Sequence, residues 1–167
     1  MSSSGRLGPF DFRAWFAEPP SAPDAYSRAL IFLERGRPAE ALRELEVALA
    51  QDPDGPARAR IHNKRGVALI ALGEREAAIE AFCTALDCSE TAAPAPALVS
   101  LGNLFLDSGH PRDAVDYYRA ALRADAGYAL AQANLAAALR ALGDRAGSVR
   151  ALRAAARLEG RRGPGRA

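Results

Sequence analysis

"LVSLGNLFLDSGHPRDAVDYYRAAL", residues 98–122, carries the pattern on which the fold turns. In its first half apolar side chains recur at three- and four-residue intervals, the period of a helix with one buried face. Gly109 then intervenes, and a glycine behind such a run takes the left-handed conformation that stops a helix. A second periodic run, "RDAVDYYRAAL", follows. Two short helices joined by a tight turn are expected.

The same punctuation recurs along the chain. Gly36, Gly73, Gly109 and Gly143 close "FLERGR", "LIALGE", "FLDSGH" and "LRALGD", at spacings of 37, 36 and 34 residues. An alanine-rich segment follows each: "PAEALRELEVALA", "EAAIEAFCTAL", "RDAVDYYRAAL" and "RAGSVRALRAAARL". The period predicts eight helices in four hairpins, an all-α chain. At 167 residues, 49% hydrophobic and 25% charged, the chain has the size and make-up of one packed soluble domain.

Small residues at Gly66, Gly102, Ala41, Ala78 and Ala114 let helix backbones approach, and Phe32, Phe82, Phe105 and Tyr118 fill the space between hairpins. In register, Leu98, Leu101, Gly102 and Phe105, then Ala114, Tyr118 and Ala121, resemble the W-x2-L-G-x2-Y…A-x3-F pattern of the tetratricopeptide repeat. The second segment matches at Gly66, Leu69, Ala78, Phe82 and Ala85, and the first at Ala29, Phe32, Ala41, Leu45, Ala48 and Pro53. The fourth matches at Leu135, Ala136, Leu139 and Leu152, with Ser148 where alanine is expected. The resemblance implies a right-handed superhelical α-solenoid of four helix-turn-helix repeats over residues 23–159. An arm at 1–22 precedes it, and a basic tail at 160–167 is expected to be disordered. The loops "DPDGPA" (52–57) and "SETAAPAPA" (89–97) absorb the longer spacings.

In the family resembled, the first helix of each pair lines a concave groove. Helical spacing from the small residues then puts Tyr26, Leu30, Arg60, Asn63, Lys64, Val67, Val99, Asn103, Leu106, Asn134 and Arg140 on that face. Asparagine amides there suit the backbone of an extended peptide, and Arg60, Lys64 and Arg140 favour acidic groups. Asn103 and Asn134 match the two asparagines with which some members clamp a C-terminal carboxylate. Val99 stands where that clamp needs a lysine, so the clamp is not expected.

Other chemistry finds little support. His62 and His110 lie on different repeats, and Cys83 and Cys88 are five apart on a helix, which suits no metal site, so no cofactor is expected. No nucleophile elbow, phosphate loop or H-E-x-x-H motif occurs, and no catalytic residues are assigned. No apolar run is long enough to span a membrane, the first ten residues lack a signal-peptide core, and two cysteines fit a reducing cytoplasm. From Arg140 onward eight arginines face only Asp144 and Glu159, a net +6 that leaves −4 for the rest of the +2 total. No aromatic residue interleaves with these arginines, which argues against single-stranded nucleic acid.

"PFDFRAWFAEPP", residues 9–20, holds Phe10, Phe12, Trp15 and Phe16, four of the eleven aromatics. Asp11 suits an N-cap, Phe12, Trp15 and Phe16 then share a helical face, and Pro19 and Pro20 stop the helix. Two turns fall short of the ~12–15 residues at which an isolated helix becomes marginal, so the segment must dock or melt. On its tether it reaches repeats one and two of its own chain but not four. The sequence therefore predicts a cytoplasmic, non-enzymatic adaptor or assembly factor, binding another protein or peptide through the groove, the arm or both. The alternatives are a structural subunit that self-associates through the arm, and a secretion-type chaperone.

Overall fold

Four glycines set the rhythm of the backbone. Gly36, Gly73, Gly109 and Gly143 have φ of +66°, +82°, +79° and +82°, and no other residue type has positive φ among those described. At each, the residue after the glycine donates its N–H to the carbonyl five residues back: Arg37 to Phe32, Glu74 to Leu69, His110 to Phe105 and Asp144 to Leu139, at 2.8–2.9 Å. These bonds satisfy carbonyls that a helix end leaves without partners, and they turn the chain sharply back on itself.

The computed structural model describes residues 24–51, 57–88 and 95–161. They form eight helices and no strand: α1 Ala25–Glu34, α2 Pro38–Gln51, α3 Arg58–Leu72, α4 Arg75–Asp87, α5 Ala95–Asp107, α6 Pro111–Ala124, α7 Ala129–Ala141 and α8 Arg145–Arg161. Helix α5 begins at Ala95, so Pro96 and Ala97, expected in the connector, lie in its first turn, where proline is tolerated. Helix α8 runs through Gly160, where a tail is expected to begin. Asp24 caps α1 by accepting the Ser27 N–H at 2.6 Å.

Each helix packs on its hairpin partner, and α2, α4 and α6 also pack on the first helix that follows. First helices touch one another in sequence (α1 with α3, α3 with α5, α5 with α7), whereas among the described elements no second helix touches another. The pairs therefore stack with α1, α3, α5 and α7 inside and α2, α4, α6 and α8 outside, a right-handed superhelical solenoid.

The core divides along that stack into three clusters. One joins Ala25, Ala29, Leu45, Ala48 and Ile61 of α1–α3. A second joins Leu69, Ala78, Phe82, Leu101 and Leu104 of α3–α5. The third and largest runs from α5 to α8 around Val99, Val115, Tyr118, Leu135 and Leu139. Small and large residues alternate as close packing demands. The Phe82 ring lies against Gly66 and the Tyr118 ring against Gly102, with no room for a Cβ at either glycine. Arg28 of α1 pairs with Glu44 of α2 at 2.7 Å. Arg75 of α4 donates to the Leu104 carbonyl at 2.7 Å and the Ser108 hydroxyl at 2.5 Å, tying repeat two to the end of α5.

Candidate functional site

The inner surface is built by α1, α3, α5 and α7, and its chemistry follows from which of their residues escape packing. On α3, Val67 and Ile70 lie one turn apart and are 38% and 39% exposed. On α5, Ser100, Asn103 and Asp107 share a face by their three- and four-residue spacing. Between the two helices these five residues enclose an open depression of about 200 Å³, floored by Leu104 and Phe82. An apolar wall thus faces a polar one.

Asn103 is the best-anchored residue of the polar wall. Its Oδ1 accepts the Tyr118 hydroxyl at 2.8 Å and the Asn134 Nδ2 at 2.8 Å. Two donors on one oxygen fix the carboxamide, leaving the Asn103 Nδ2 group to donate elsewhere and the Asn134 Oδ1 to accept. Burial, aided by the charge of Asp107, pushes the Tyr118 hydroxyl up to about 12, so it stays a donor at neutral pH. The link crosses from α5 to α7, so adjacent repeats present their amides together.

Of the residues expected on the groove, Val67 and Asn103 border this depression, and Asn134 joins it through Asn103. Tyr26 and Leu30 of α1 are half-buried, and the Arg60 guanidinium lies 5.9 Å from the Tyr26 ring centroid. Lys64 is half-buried, and Arg60 and Arg140 are exposed. Asn63 is half-buried with its Oδ1 sealed from solvent and lacking a partner among the described residues. Val99 corrects the expectation: it is 3% exposed and belongs to the third core cluster, because a residue three before Gly102 shares its packed face. Leu106 is half-buried and also packs on that cluster. Phe10, Phe12, Trp15 and Phe16 lie outside the described residues. Ile70, Ser100 and Asp107 were not anticipated, although each sits three or four residues from Val67 or Asn103.

Next to Asn63, His62 is 8% exposed, and its Nδ1 also lacks a partner among the described residues. Burial, then the charges of Arg58 and Arg65, holds its pKa below the usual histidine value. Among the described residues no group of three histidine, cysteine or acidic side chains could hold a metal ion. Nor is any described helix long and apolar enough to cross a membrane.

The tetratricopeptide repeat family model matches residues 26–94 and 99–167. Among solved structures the chain is similar to MamA (21% identity, TM-score 0.67, covering 83% of this chain and 78% of that one). It is also similar to BtubC (BKLC) from P. vanneervenii, with 20% identity, a TM-score of 0.70, and coverage of 86% and 66%. A third is YrrB, described as a TPR protein with an unusual peptide-binding site (19% identity, TM-score 0.60, coverage 80% and 66%). At these identities the likeness speaks for the fold alone. No curated protein matches the chain.

Proposed function

Since this chain belongs to the tetratricopeptide repeat family, we propose that it is a non-enzymatic adaptor or assembly factor whose inner face binds an extended segment of another protein. The observation that carries the reading is the depression between α3 and α5, with Val67 and Ile70 on one side and Asn103 on the other. The hydrogen-bonded Asn103–Asn134 pair offers the Asn103 Nδ2 group as a donor and the Asn134 Oδ1 as an acceptor, the complement of a peptide unit. The apolar wall takes one aliphatic side chain, while Arg60, Lys64 and Arg140 along the same inner helices favour acidic neighbours. YrrB, of the same fold, is described as having a peptide-binding site, which supports the same use here.

Peptides selected from a random displayed library against the full chain test the reading. Covering the 38% of Val67 that is exposed contributes about 0.6–1.1 kcal/mol, and a glutamate there adds the cost of a buried charge. Val67→Glu should therefore weaken the selected peptides by at least roughly 3- to 7-fold in calorimetric titration. Asn103→Ala should weaken them less, and Arg157→Ala on the outer helix α8 should leave them unchanged. Selected peptides that bind the Val67→Glu chain as well as the parent would place the site elsewhere.

A further inference from the structure

The repeat pattern breaks at its last position. Four residues after the small residue of each second helix stand Leu45, Phe82, Tyr118 and Leu152. The first three are at most 1% exposed. Each shares its core cluster with residues of the next first helix: Leu45 with Ile61, Phe82 with Leu101 and Leu104, and Tyr118 with Ala131 and Leu135. Leu152 is 50% exposed, and Val149, at the position of the buried Val115, is 45% exposed. A terminal repeat ordinarily carries a polar outer face. Here α8 keeps the side chains of an inter-repeat interface, with no first helix upon them among the described residues. Arg145 and Arg153 are exposed and stand on the same helical face as Val149 by four-residue spacing.

We propose that this seam receives the N-terminal aromatic segment, residues 10–18, of a second copy of the chain. Residues 162–167, Arg-Gly-Pro-Gly-Arg-Ala, bring no large apolar side chain to fill the seam. The aromatic segment brings three, since Phe12, Trp15 and Phe16 share one face at helical spacing, as the apolar residues of a first helix do. Asp11 and Glu18 bracket that face and complement Arg145 and Arg153. The reach of the segment favours a second copy as the donor. From α1 to α8 the contacts run through α3, α5 and α7, four interhelix steps of ~8–10 Å, or about 32–40 Å. Residues 17–23 extend only about 23 Å at ~3.3 Å per residue. Arm and seam are different surfaces, so the contact is head-to-tail, and each copy added leaves one arm and one seam open for the next.

Light scattering of the full-length chain against concentration tests the proposal, with two variants: Leu152→Glu, and Phe12→Ser/Trp15→Ser/Phe16→Ser. The parent mass should rise above the 17.6 kDa of one chain, and each variant should stay at one chain with unchanged helicity by circular dichroism. Mixed, the two variants should form a species of two chains and nothing larger, because one intact arm meets one intact seam. Arg153→Glu supplies a second route that leaves the apolar residues alone: it should weaken association at least tenfold at low salt. A parent at one-chain mass at every concentration, its arm on its own repeats or on nothing, overturns the proposal. So does a variant mixture that stays unassociated, or an arm variant that still self-associates. Association that persists while Val67→Glu weakens peptide binding separates this proposal from the groove reading.

Discussion

Replacing Gly102 with alanine probes the close approach that closes the third hairpin. In a helix free of neighbours the change stabilises by about 1 kcal/mol, because alanine loses less backbone entropy. At Gly102 the added Cβ would stand 2.5 Å from Tyr118 Cε1, 2.8 Å from Cδ1 and 3.0 Å from Cζ. The Tyr118 side chain has no exposed surface, and its hydroxyl is bonded to Asn103, so the ring has nowhere to turn. Overpacking of this kind costs about 1–3 kcal/mol, and three ring atoms inside contact distance put this site at the upper end. The net loss is then about 2 kcal/mol, a fall in Tm of roughly 4–8 °C for a chain of this size. Urea unfolding followed by far-UV circular dichroism measures it. Tyr118→Leu removes the crowding atoms, and in that background Gly102→Ala should be neutral or stabilising. The double-mutant cycle should therefore show a coupling of about 2–3 kcal/mol. A Gly102→Ala chain as stable as the parent, or a coupling below about 0.5 kcal/mol, refutes the claim that the ring dictates the glycine.

Gly73→Ala tests a different constraint, since nothing lies within 4 Å of its Cβ position and only its φ of +82° matters. It should cost about 1–2 kcal/mol in the same unfolding assay. His62 predicts a pH dependence. Its pKa is lowered in the folded chain, so the unfolded chain binds the proton first. The His62 contribution to stability is full above pH ~6.5, the unfolded value, and is lost as pH falls through the lower folded one. Urea midpoints between pH 7.5 and 5 should fall less steeply for His62→Gln than for the parent, and equal slopes would disprove the assignment.

Much of the fold was legible because its key residues carry local instructions. Gly36, Gly73, Gly109 and Gly143 each end an apolar helical run, and the left-handed backbone they permit is what the structure uses at each turn. The pairing of Gly66 with Phe82 and Gly102 with Tyr118 follows from sizes set at repeated spacings. The inner face was harder to read. A first helix here packs against its hairpin partner and against first helices beside it, so its buried arc is wide. That arc swallows Val99, which stands one turn before Gly102, and it seals the Oδ1 of Asn63. The exposed strip is narrower and rotated toward Ile70, Ser100 and Asp107. The bond between Asn103 and Asn134 joins residues 31 apart in sequence, and only the superposition of repeats brings them together.

The division of the core into three clusters bears on how the molecule opens. The cluster under α1 and α2 is small, with Leu45 and Ile61 its largest buried members, whereas the cluster from α5 to α8 is more than twice its size and holds Tyr118, two leucines and two valines. In a stacked array each layer is held only by its neighbours, so layers detach from an end inward at their own free energies. Amide exchange should therefore be fastest in α1 and α2 and slowest in α5–α7. The hairpin to which the N-terminal segment is joined should be the first layer to open, ahead of the larger cluster from α5 to α8.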